Sequence, residues 1–156
     1  MSTYNLYLKM TYDYSREVPV GGWAYIIDDE ESNSYYDFGA LFSEVSLNSI
    51  TASVACYQGI DHILELCEGD ITNLTIKVFS KDANFRNWTN PDSKTKVAGG
   101  IAVNEMFKDF RSKGINLEVM PKEVVNEPYH FNTISDCAKW SSKAAYGFEI
   151  PSDALQ

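Results

Sequence analysis

The hydrophobic period of this chain first changes near residue 45, and that change constrains the fold more than any other feature. Before it, apolar residues alternate with polar ones. Leu6, Leu8 and Met10 fall on one side of residues 4–13, and Tyr7, Lys9, Thr11 and Asp13 on the other. A period of two is the signature of a strand. A turn at Arg16–Gly22 leads to a second strand, Trp23–Ile27. The polar loop Asp28–Asn33 then leads to a third, Tyr35–Phe42. Short links between consecutive strands predict an antiparallel meander.

After residue 45 the period is that of a helix. Cys56, Ile60, Ile63 and Cys67 are spaced four, three and four apart, on one helical face. A helix is expected over about 48–67, ended by Gly69. A strand over Leu74–Ser80 follows, then a short helix over 82–90 stopped at Asn90-Pro91. Next come a helix over 94–113 closed by Gly114, and a strand over Ile115–Met120. A Pro-bounded loop, Pro121–Pro128, and a last helix over about 132–146 complete the pattern. The tail from Gly147 is expected to be loosely held. The order βββαβα(α)βα predicts an α/β fold with a mixed sheet and helices on both faces. A chain of 156 residues without repeats or linkers reads as one domain.

Composition narrows the function classes. No apolar run approaches the roughly 18 residues of a membrane span. The start Met-Ser-Thr-Tyr-Asn is unlike a secretory signal. Cys56, Cys67 and Cys137 are odd in number and lack zinc spacing, which predicts free thiols and a cytoplasmic setting. The sequons at Asn73 and Asn87 then carry no meaning. The net charge of −9, to which Asp28–Glu31 contribute, disfavours nucleic acid as a partner. Lys94, Lys96, Lys108, Arg111 and Lys113 form only a loose basic segment, read as a solvated helix face. The N-terminal sheet is rich in tyrosine (Tyr4, Tyr7, Tyr12, Tyr14, Tyr35, Tyr36), a residue common both in strands and at protein interfaces. Trp23, Tyr25 and Tyr57 read as packing residues, and His62 has no partner at metal spacing.

Four segments carry a resemblance. Thr11-Tyr-Asp-Tyr-Ser15, followed by Gly21-Gly-Trp-Ala-Tyr-Ile-Ile27, is similar to an Asp-Gly-Ser strand end with a Gly-Gly-aromatic strand after it. Val54-Ala-Cys-Tyr-Gln-Gly-Ile60 resembles Val-Ala-Glu-Tyr-x-Ala-Leu. Ile76-Lys-Val-Phe-Ser-Lys-Asp82 resembles an aliphatic strand ending in Asp-Ser, and Asn132-Thr-Ile-Ser-Asp136 resembles Asn-x-x-Ala-Asp. Together, over residues 4–145, these resemble the ribonuclease H-like family. The resemblance implies a five-stranded sheet, three strands antiparallel and the rest parallel. It also implies a site of four carboxylates holding two Mg²⁺ or Mn²⁺ ions for phosphodiester cleavage.

Mapped onto this chain, the implied site is degenerate. Asp13 stands near the first carboxylate position, although an ungapped count from the Gly pair selects Thr11. The helix position is Cys56, whose soft sulfur does not replace a carboxylate for Mg²⁺; a buried apolar role is its alternative. Lys81 stands at the strand position with Asp82 one residue later, and Asp136 matches the last. The expectation is a catalytically inactive domain with no cofactor, whose vestigial residues are Asp13, Asp82 and Asp136. Metal at Asp13 and Asp136 is expected only if the domain is active. Lys81 is expected either to bridge the remaining carboxylates as an internal ion pair or to face solvent. Cys56→Glu with Lys81→Asp is expected to restore trace metal binding. His130 stands near a loop where some relatives carry a histidine that assists product release. The implied function is binding or regulation, through a protein partner linked to nucleic-acid metabolism. A divergent ribonuclease H cutting RNA in RNA–DNA hybrids and a non-cutting nucleic-acid-binding module are the alternatives. Diverged domains of this size are familiar in phages and mobile elements.

Overall fold

The computed structural model describes residues 2–15, 17–121 and 128–145. Five strands form one sheet: β1 (Ser2–Asp13), β2 (Val20–Asp28), β3 (Ser34–Phe42), β4 (Leu74–Ser80) and β5 (Asn116–Val119). The helices are α1 (Leu47–Leu66), α2 (Ala83–Thr89), α3 (Ala98–Ser112) and α4 (Pro128–Ala145). The sheet order is β3-β2-β1-β4-β5, with β1–β2 and β2–β3 antiparallel and β1–β4 and β4–β5 parallel. This is the mixed sheet that the change of period predicts.

The alternation along β1 divides the molecule into two cores. Leu6, Leu8 and Met10 join Trp23, Tyr25, Ile27, Ile76 and Val78 under α1 and α3. Tyr7 points to the opposite face and joins Ala24, Ile26 and Phe79 under Phe131, Ile134 and Ala138 of α4. Each fully buried Leu or Ile contributes roughly 1.5–3 kcal/mol of transfer free energy. That term fixes strand register, because a slip of one residue would exchange the two faces.

Three boundaries differ from the sequence expectation. β2 begins at Val20, so the turn before it is shorter; Val20–Asp28 pairs with β1 throughout. α3 begins at Ala98, not at residue 94. Val97 is extended and no side chain caps the helix, so Lys94–Val97 stay outside it. α4 begins at Pro128, four residues early. Proline lacks only an N–H that the first turn leaves unpaired, and its fixed φ suits that position. Most of the loop expected before it, and the tail from Gly147, lie outside the described residues. No helix among the described residues is long and apolar enough to cross a membrane.

Candidate functional site

The candidate site should lie at the C-terminal end of β1, where α1, α2 and α4 can each bring a side chain. The ladder runs without a bulge to the strand end, with Thr11 opposite Gly22, Tyr12 opposite Gly21 and Asp13 opposite Val20. Thr11 therefore lies across from the Gly pair, as the ungapped count indicates. Its Oγ1 is 3.2 Å from Ser142 Oγ of α4, and Ser142 Oγ donates to the Ala138 carbonyl, also at 3.2 Å. Asp13 lies one step further. It accepts from Ser15 N at 2.9 Å and from Ser15 Oγ at 2.5 Å, closing a local turn.

Asp82 follows β4 by two residues and is the N-cap of α2. Its Oδ1 accepts from the N–H groups of Asn84 (2.9 Å) and Phe85 (3.2 Å), and its Oδ2 accepts from Tyr12 Oη at 3.3 Å. A capping carboxylate satisfies helix donors that otherwise lack partners. Tyr12 packs on the α1 side of the sheet, whereas Thr11 reaches α4 on the other. Burial and the Asp82 charge raise the Tyr12 hydroxyl far above its ordinary value of 10.0, so it stays a donor.

Asp136 is exposed on α4 between the buried Ile134 and Ala138. Two residues are about 200° of helix rotation, which carries its carboxylate to the outer side. Cys56 is fully buried in the core beneath α1. Its thiol is pushed well above the ordinary range by desolvation alone, so it keeps its proton in the core. The glycine contacts give the register of α1. A Cβ on Gly59 would stand 2.7 Å from Leu6 Cδ1 in mid-strand, and one on Gly21 would collide with Thr51. Thr51 is thus the α1 residue level with the strand end, and Cys56 lies about 7.5 Å further along the axis. Thr51 Oγ1 is buried without a hydrogen-bond partner.

The bridging ion pair considered for Lys81 does not form. None of the ion pairs among the described residues includes Lys81, which is exposed with its Nζ 4.8 Å from the centre of the Phe131 ring. A cation over an aromatic face gains about 0.5–1 kcal/mol in such a setting. His130 is also displaced from the expected role. Its Nε2 is 2.7 Å from Asp28 Oδ2 and its ring meets Tyr7 edge-on. Asp28 pairs with Asn5, eight residues from Asp13 along β1, or roughly 26 Å. His62 is bonded through Nδ1 to Tyr25 Oη at 2.7 Å and helps pack the sheet.

Among the described residues no three His, Cys, Asp or Glu side chains are grouped to hold a metal ion. Two-metal chemistry needs several hard oxygen ligands on one point. Here one carboxylate caps a helix, one closes a turn and one faces solvent, so the residues present do not fit the pair of Mg²⁺ or Mn²⁺ ions. What the strand end holds is a pocket of about 270 Å³ lined by Thr11, Tyr12, Asp13, Lys139, Ser142 and Lys143. Lys139 and Lys143 were not singled out by the sequence reading. Their spacing of four in a segment expected to be helical is the signal that places them together.

No protein-family model matches this sequence, and no curated protein matches it. Solved structures do. A ribonuclease H1 isolated from compost by a metagenomic approach superposes with a TM-score of 0.67 at 12% identity, over 94% of this chain and 99% of that one. The N-terminal ribonuclease H domain of a Mycobacterium tuberculosis protein gives 0.60 at 12% identity, over 90% and 98%. The compost enzyme in complex with an RNA/DNA hybrid gives 0.59 at 12% identity, over 88% and 98%. The chain has a ribonuclease H-like fold, and similarity at this identity extends to the fold alone.

Proposed function

Starting from a ribonuclease H-like fold, we propose that this chain is a non-catalytic domain that works by binding, through a protein partner linked to nucleic-acid metabolism. One observation carries the reading: Asp13 closes a turn, Asp82 caps α2 and Asp136 is exposed, and no three such side chains are grouped to hold a metal among the described residues. A hydrolase of this architecture depends on carboxylates that converge on metal. Support for a protein partner comes from the acidic balance of the chain and from the aromatic edge of the sheet. Tyr36, stacked on Phe38, is 64% exposed on the outermost strand, and Phe38 meets the half-exposed Trp140 edge-on. Aromatic residues of this kind are enriched at protein interfaces.

The test is a cleavage assay on RNA–DNA hybrid with Mg²⁺ and with Mn²⁺, comparing the native chain with Asp136→Ala. The expected result is no metal-dependent cleavage by either. Cleavage by the native chain that disappears in the variant would instead make the domain a divergent ribonuclease H. A salt-dependent gel shift without cleavage would make it a nucleic-acid-binding module.

A further inference from the structure

The pocket at the end of β1 differs in charge from what its place in the fold leads one to expect. Two of its six lining residues are lysines and one is a carboxylate. Lys139 and Lys143 are both exposed, four residues apart on α4, and neither takes part in an ion pair among the described residues. Like charges at that spacing repel. The chain has only 13 Lys and Arg against 22 Asp and Glu, so two cations left unneutralised at one pocket stand out. Lys9 precedes Thr11 on the same face of β1. Lys81 does not join them, since its Nζ lies over the Phe131 ring near the start of α4. The one carboxylate of the pocket, Asp13, accepts the N–H and the hydroxyl of Ser15. Thr11 and Ser142 form the floor through their own hydroxyl contact.

We propose that this pocket binds a phosphate group directly, held by the ammonium groups of Lys139 and Lys143 with no metal ion between. The ligand is a phosphate monoester dianion, either inorganic phosphate or the terminal phosphate of a nucleotide. A duplex backbone needs a long basic stripe to displace its counterions, and a chain of net charge −9 with two lysines at one pocket does not provide it. One phosphate dianion matches the two lysine cations of the pocket in charge. The inference deepens the non-catalytic reading and rests on it in one respect, since the binding uses no metal.

Amide chemical shifts of the full chain, followed at low ionic strength in the presence of a chelator, test it. Inorganic phosphate and a nucleoside 5′-monophosphate are titrated separately. Saturable shifts are expected at residues 11–13 and 139–143. Lys139→Gln with Lys143→Gln is expected to weaken binding about tenfold, as charge-assisted contacts are lost. Lys94→Gln with Lys96→Gln removes the same charge at exposed positions elsewhere and is expected to leave it unchanged. Tighter binding of the monophosphate assigns the site to a nucleotide end, and equal binding assigns it to free phosphate. No saturable shift with either probe, equal binding by the Lys139/Lys143 variant, or equal weakening by the Lys94/Lys96 variant would overturn the proposal. Because the chelator removes metal, failure here is separate from failure of the cleavage prediction.

Discussion

At the scale of single residues, the same side-chain type does different work according to its surroundings. Asp82 is a helix cap, so Asp82→Ala removes two acceptor contacts from the start of α2 and one from Tyr12. A loss of about 1 kcal/mol in denaturant unfolding is expected, within the 0.5–2 kcal/mol range of such caps, and Asp82→Asn should retain most of it. Cys56 is the opposite case. Sequence similarity places it at a ligand position, but the residue is sealed in the core. Cys56→Glu therefore buries a charge with no partner, and a loss of about 3 kcal/mol or more is expected, with no gain in Mn²⁺ affinity by calorimetry even when combined with Lys81→Asp. Metal binding by that double variant would show that α1 carries its ligand position at Cys56 after all.

Among elements, the decisive relation is between α4 and the sheet. Helix and strands meet at Gly22, where an added Cβ would collide with the Ala138 carbonyl oxygen and Ser142 Oγ. The missing side chain lets α4 lie close enough for Thr11 to reach Ser142. Gly22→Ala is expected to cost about 1–3 kcal/mol through overpacking, with the loss read in thermal unfolding. It should also shift the amides of residues 138–142 more than those of α1, since the two helices lie on opposite faces. A parallel arrangement holds α2 and α3 together. Asn104 Nδ2 donates to the carbonyls of Trp88 and Asn90 at 2.8 Å each, and Arg111 reaches the carbonyls of Leu117 and Thr89. The bonds to Trp88, Thr89 and Asn90 satisfy acceptors at the end of α2, and those to Leu117 tie α3 to β5.

For the molecule as a whole, pH dependence follows from two phenols, one buried (Tyr25) and one partly buried (Tyr12). Tyr12 and Tyr25 are both raised far above the ordinary value of 10.0, mainly by desolvation, with nearby carboxylates adding to it. A group whose value is raised by folding keeps its proton in the folded state while the unfolded chain loses it. The stabilisation from these two residues is therefore fully present below pH 10 and declines as pH rises above it. Stability measured by denaturant should fall between about pH 10 and 12. Replacing both tyrosines with Phe should flatten that decline, and an unchanged slope would mean that neither phenol is held neutral by the fold. Net charge acts across the same scale. A net charge of −9 steers polyanions away, and the lysine-lined end of β1 is a local exception to that acidic balance.

Much of this architecture was legible beforehand. Alternation in β1–β3 and helical spacing after residue 45 determined the kinds of element, their order and their burial faces, because side-chain direction along one element depends only on local geometry. The resemblance motifs led to the right sheet. They did not foretell the surroundings of the individual site residues. Asp82 became a cap because β4 stops at Ser80, Cys56 became core because α1 lies with Thr51 at the Gly pair, and Asp136 turned outward because Ile134 and Ala138 face the sheet. Each outcome depends on how one element is rotated and shifted against another, which is set by contacts between residues far apart in sequence. The chain by itself therefore determined the scaffold, and tertiary packing alone decided which polar groups share a site.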